Sequence, residues 1–327
     1  MRTLFFIISV FVFSSCLREE LPVPKKDLGK GNVVVVDIQN DYRLQSFFKL
    51  SSGEVVSENL KDDWDIGLEN GIDGNHFIIN YSKNMFIYPT NEDNMEDVLS
   101  PAGYNSPDNQ RFDSPYGEYD SLAMRNYDDG KVRIIDMGYG VAGTHIGWYK
   151  IKVIEVNQTS YTFEFAPLTS TTSTIRTIEK QNADDYQFTY FNLQSNSVVQ
   201  IAPKNAAWDL VFTQFTERLY EPLVMPYLVT GTLLNRVQTK GTRLVNVDYD
   251  AIDLAYAHTL PLSDTMNVIG YNWKSFDFSD ENYLVYQNIC YVLQDADGVY
   301  YKLKFLDFYS PTGAKGYNKF LYQKLGE

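Results

Sequence analysis

VYYKLKFLDFYSPTGAKGYNKFLY, residues 299–322, decides the fold. Val299, Tyr301, Leu303 and Phe305 share one phase of a period-two pattern, while Tyr300, Lys302 and Lys304 occupy the other. A helix, at 3.6 residues per turn, cannot keep those two sets on separate faces; a strand does so automatically. The phase slips after Phe305, because Asp307 falls in the apolar register while Leu306 and Phe308 do not, which predicts a bulge near Phe305–Asp307. SPTGAKG (310–316) then supplies a turn and YNKFLYQKL (317–325) returns as the hairpin partner. The hairpin reads as scaffold, with large rings buried on one face and lysines keeping the other face wet.

A shorter version stands earlier. In WYKIKV (148–153) Tyr149, Ile151 and Val153 alternate with Lys150 and Lys152. The preceding segments also correspond: SFFKLSSGEVVSENLKDDWDIGLEN (46–70) follows the same plan as TYFNLQSNSVVQIAPKNAAWDLVFTQ (189–214), from an aromatic run through a Val-Val strand to Trp-Asp. Trp64 precedes Tyr149 by 85 residues and Trp208 precedes Tyr301 by 93, so order and spacing both recur. That is an internal duplication. The predicted organisation is a signal peptide at 1–15, a tether at 16–32, a divergent first β domain at 33–170, a Ser/Thr-rich linker at 171–185 and a second β domain at 186–327. Only 248–258 (DYDAIDLAYAH) offers a helix, a short one grouping Ile252, Leu254 and Ala255. Trp64 and Trp208 read as core anchors, with Asp65 and Asp209 facing away to cap turns. The fold class is all-β: a duplicated antiparallel β-sandwich with few short helices.

Composition agrees and narrows the function. Aromatic residues make up 15% of the 327, which favours strands, and the formal charge of −14 makes the chain a poor binder of nucleic acid. At the N-terminus Arg2 precedes an apolar run from Leu4 to Phe13, broken at Ser9, and then Ser-Ser-Cys. The run is too short to span a bilayer and reads as a signal peptide. Its end is similar to a bacterial lipobox, in which Cys16 would be lipidated and anchor the chain in a membrane. The Leu-Arg-Glu-Glu that follows resembles a surface-export signal of Bacteroidetes lipoproteins. Cys290 is then the only thiol left and reads as a small buried hydrophobe in a strand.

Catalytic patterns are missing. Three scattered histidines form no zinc motif, no Gly-rich loop opens a helix, and no nucleophile elbow occurs. DADG (295–298) reads as a turn rather than a calcium loop. The expectation is a protein that is not an enzyme.

WDLVF (208–212), YLVTGTLLNRV (227–237), IGYNWKSFDF (269–278) and above all YVLQDADGVYYKLKFLDFYSPTGAKGYNKFLY (291–322) resemble the HmuY family, haem-binding lipoproteins of Bacteroidetes. The resemblance covers about 186 to the end. It implies opposed β-sheets, haem as cofactor, an outer-membrane, surface-exposed location and partnership with a TonB-dependent haem receptor. Family members use paired His or paired Met as axial ligands. In the second copy the candidate donors are Met225, His258 and Met266, either one from the 255–273 segment with Met225 or both from that segment, and Tyr271 and Trp273 are candidate haem-contacting rings. His76, Met85, Met137 and His145 are weaker candidates in the first copy. The alternative is a surface module on the same scaffold that binds a glycan, a peptide or a protein without haem.

Overall fold

The computed structural model describes residues 31–221 and 225–326. The signal segment, Cys16 and nearly all of the tether lie outside the described residues. The first copy supplies β1 (Asn32–Asp37), β2 (Leu44–Lys49), β3 (Glu54–Leu60), β4 (Ile66–Glu69), β5 (Phe77–Ile79), β6 (Phe86–Pro89), β7 (Arg133–Asp136), β8 (Trp148–Val156) and β9 (Ser160–Pro167). Then come β10 (Thr174–Glu179), β11 (Phe188–Asn192), β12 (Ser197–Val199), β13 (Leu210–Leu219), β14 (Met225–Leu234) and β15 (Lys240–Val245). A four-residue helix, α1 (Leu254–Ala257), precedes β16 (Lys274–Asp277), β17 (Asn282–Val285), β18 (Ile289–Gln294), β19 (Tyr300–Tyr309) and β20 (Lys315–Gly326). No described helix is long and apolar enough to cross a membrane. The architecture is all-β and antiparallel, as the period-two pattern requires.

Four main sheets form, in the orders β10-β9-β8-β7-β6, β12-β11-β4-β5, β14-β13-β2-β3 and β1-β20-β19-β18-β15, with β16-β17 as a separate hairpin. The first pair of sheets encloses one core, with Ile66, Phe77, Ile135, Ile151, Phe163 and Phe191. The second pair encloses another, with Phe48, Phe212, Tyr291, Leu303, Phe305 and Phe320. A third cluster, including Phe47, Trp64, Trp208, Phe215 and Leu233, joins the two inner sheets back to back.

The two sequence copies do not occupy separate sheets. β2 of the first copy pairs with β13 of the second, and β11 of the second pairs with β4 of the first. β1 likewise pairs along its length with β20, and β10, inside the 171–185 stretch, pairs with β9. Each copy has lent its opening strands to the other.

The Trp-Asp pairs mark the exchange. Trp64 packs edge-on against Tyr190, ring centroids 4.9 Å apart, and Trp208 does the same against Phe47 at 5.0 Å. Asp65 accepts from Leu193 N at 2.6 Å, and Asp209 from Leu50 N at 2.7 Å. Each carboxylate therefore caps a hairpin turn, as expected of it, but the turn belongs to the other copy. Asn80 and Asn235 repeat the symmetry: each side-chain amide donates to two carbonyls of the nearby Trp-Asp approach, Lys61 and Trp64 in one case, Asn205 and Trp208 in the other.

The terminal hairpin follows the pattern. Val299, Tyr301, Leu303 and Phe305 are all buried, and the β19–β20 register shifts between Phe305 and Asp307, which restores Phe308 to the core. The lysine face departs from expectation. Lys302 is buried and donates to the carbonyls of Tyr249 and Ile252, and Lys150 donates to those of Met95, Val98 and Ser170. Segments 90–112 and 247–262 fold over the outer sheets and cover them, so these lysines close short turns instead of facing water. The predicted short helix forms as α1, but it buries Ala257 with Ile252 and leaves Ala255 exposed. Cys290 is buried and unpaired, and burial pushes its thiol up.

Candidate functional site

β13 and β14 are ten-residue strands in continuous register from Leu210↔Leu234 to Leu219↔Met225, whereas β2 flanks only Leu210–Phe212. The hairpin therefore extends well past the sheet that supports its base. At its far end Met225 is 44% exposed, and Tyr227 and Tyr220 are more open still. An antiparallel bridge from Thr232 to Gly270 sends the following chain back along β14. The β16–β17 hairpin that follows is tied to β14 by Lys274 at Thr230 O; on it Phe276, Leu284 and Tyr286 are exposed and Phe278 is 86% exposed. Tyr220 and Tyr227 thus stand exposed next to the Met225 thioether at the far end of the hairpin.

Beneath the hairpin lies Lys274, buried, donating to Thr230 O at 2.6 Å and standing 4.1 Å from the Trp273 ring and 4.4 Å from Phe308. Burial pushes its ammonium down to about 7. Glu217, on β13 near the tip, is also buried, and burial raises its carboxyl despite donation from Arg218 N.

The sequence-selected donors are dispersed. Met225 stands at the tip. Met266 contributes to the cluster between the inner sheets, its carbonyl accepting from Leu234 N. Leu234 and Met225 are nine strand positions apart, or about 30 Å at the rise of an extended chain. His258 caps α1 and meets Tyr300 edge-on at 4.9 Å, on the outward face of the β18–β20 sheet. Tyr271 is half-buried near Phe215, and Trp273 lies in the core, stacked on Phe305 with centroids 3.8 Å apart.

In the first copy Met85 and Met137 are buried in the core. His76 stacks on Tyr119 at 4.0 Å and bonds Glu69 at 2.6 Å; His145 bonds Asp136 at 2.7 Å. Among the described residues, no group of three or more His, Cys, Asp or Glu side chains is placed to hold a metal ion. For a haem iron, Met225 is a competent thioether with aromatic surface around it. The described residues bring no second candidate donor opposite it.

Sequence reasoning did not single out a slot between the inner sheets, lined by Phe47, Tyr81, Tyr119, Tyr190, Trp208 and Arg236 among others. It depends on strands from both copies and on loop 113–122, so no local pattern could announce it. Asp113, at the start of that loop, accepts from Ile79 N at 2.7 Å and Ala123 N at 2.8 Å, and burial pushes its carboxyl up to about 7.

Residues 184–322 match the family model described as HmuY protein. No curated protein matches the chain. Among solved structures, apo PinO from Porphyromonas gingivitis aligns at 10% identity over 91% of this chain and 98% of its own, with a TM-score of 0.31. The apo HmuY analog of Tannerella forsythia aligns at 9% identity over 91% and 96%, TM-score 0.25. A Bacteroides vulgatus protein described as HmuY-like and heme-binding aligns at 9% over 91% and 93%, TM-score 0.24. The likeness to HmuY-like proteins rests on the family-model match over residues 184–322.

Proposed function

From the family-level link of residues 184–322 to HmuY-like proteins, we propose that this is a haem-binding lipoprotein of the outer membrane, anchored through Cys16 and working with a TonB-dependent haem receptor. The family match is the observation that carries the reading. What supports it locally is the aromatic tip: Met225 would ligate iron from one side, and Tyr227 and Tyr220 would cover the porphyrin. Bound haem would supply a redox-active iron; the chain's part is to hold the macrocycle and exclude water from one face.

The test is an absorbance titration of the soluble chain beginning after Cys16 with oxidised and reduced haem, repeated on M225A, M266A and H258A. A saturable Soret shift, weakened at least tenfold in M225A and unchanged in H258A, is expected. Similar weak spectra in all four proteins would mean adventitious haem. The aromatic tip would then be the docking face of a glycan, peptide or protein partner, the second reading its exposed rings favour.

A further inference from the structure

The slot between the inner sheets is a separate feature and does not depend on haem. Its cavity volume is ≈ 70 Å³. A benzene-sized cavity is about 150 Å³ and drug-sized pockets start at about 300 Å³, so the slot excludes a porphyrin and admits a body of a few carbons. Phe47, Tyr81, Tyr190, Leu233 and Met266 make the lining predominantly apolar.

Arg236 stands at the edge. One guanidinium nitrogen donates to Gly117 O, and the group lies 5.5 Å from the Tyr119 ring centroid. Arg236 makes no salt bridge among the described residues. It also borders a more open recess of ≈ 320 Å³ formed with Gln238, Lys240 and Gln294. A guanidinium has five N–H donors, so the bond to Gly117 leaves a fork for a carboxylate. One further donor on a lining residue, the Trp208 indole N–H, is without a hydrogen-bond partner among the described residues. The one carboxyl in the lining, Asp113, is already engaged by two backbone N–H groups, and its raised proton affinity limits the negative charge it presents.

We infer that this slot binds a small monocarboxylate with a short apolar body, its carboxylate on Arg236 and its body against Leu233 and the flanking rings. Such a ligand would bridge the two sandwiches, because Leu233 and Arg236 belong to the second copy while Tyr119 and Gly117 belong to loop 113–122 of the first.

Calorimetry on the chain beginning after Cys16 tests this with 3-methylbutanoate and its neutral isostere 3-methylbutanamide, with tryptophan fluorescence as a second readout. Saturable binding of the acid is expected, with the amide and the R236Q variant each weaker by about tenfold to a hundredfold, the range for a hydrogen bond to a charged group. L233F, which fills the slot, should abolish binding, and M225A should leave it intact. Should L233F fail to fold, the amide and R236Q comparisons decide alone. No saturable heat with the acid, equal binding of acid and amide, or wild-type affinity in folded R236Q would each overturn the inference.

Discussion

Asp65 and Lys83 are both fully buried and paired, and Asp65 also receives Leu193 N. Truncating one partner of a buried pair leaves an uncompensated charge, at a cost of about 3–5 kcal/mol. D65A should lose that much in urea unfolding, and D65A/K83M should recover a large part of it. Asp113 gives a pH signature. Its folded-state pKa of about 7 lies above the ordinary 3.8 of an aspartate, so the native chain binds the extra proton between those values. Its contribution to stability is complete below pH 4 and lost as pH rises to 7. Melting temperatures of wild type and D113N should therefore differ in slope over that window, with D113N the flatter; identical slopes would refute the assignment. Lys274 works in the opposite sense: its pKa is lowered from 10.5 to about 7, so its contribution is present above pH 10.5 and lost as pH falls to 7. K274M should remove that part of the pH dependence.

The terminal hairpin shows what an element's sequence reveals and what it does not. Strand phase, bulge and turn were legible in 299–322 because each is a local property of backbone geometry and side-chain alternation. The fate of Lys302 was not, since a lysine in the polar phase of a strand looks the same whether water or another segment covers it. The covering segment, 247–262, is irregular and has no periodicity to read. K302M tests the anchoring: it would strand the Tyr249 and Ile252 carbonyls, and hydrogen exchange across 247–260 should accelerate while β19 amides stay protected. The donors fared like the lysine. Residue type selected Met225, Met266 and His258, but their separation onto the tip, the inter-sheet cluster and an outer face follows from topology.

Across the whole molecule, the duplication was legible and the exchange of strands was not, because identical pairing rules hold whether a hairpin joins its own copy or the other. All strands of the β10–β6 and β12–β5 sheets fall between Ile66 and Val199. A fragment of residues 61–204 should thus fold alone, with strand-rich circular dichroism and a cooperative melt. Residues 186–327, the better recognised half, should not fold as a monomer, because β13 would lack β2 and β20 would lack β1. The pairing of β1 with β20, and the Asn318 amide bond to Val36 O, join residues 282 positions apart. For a chain made N-terminus first, this sets a timetable. The opening strands emerge with no partner and wait, the central unit can finish while they do, and the last dozen residues to arrive close the molecule.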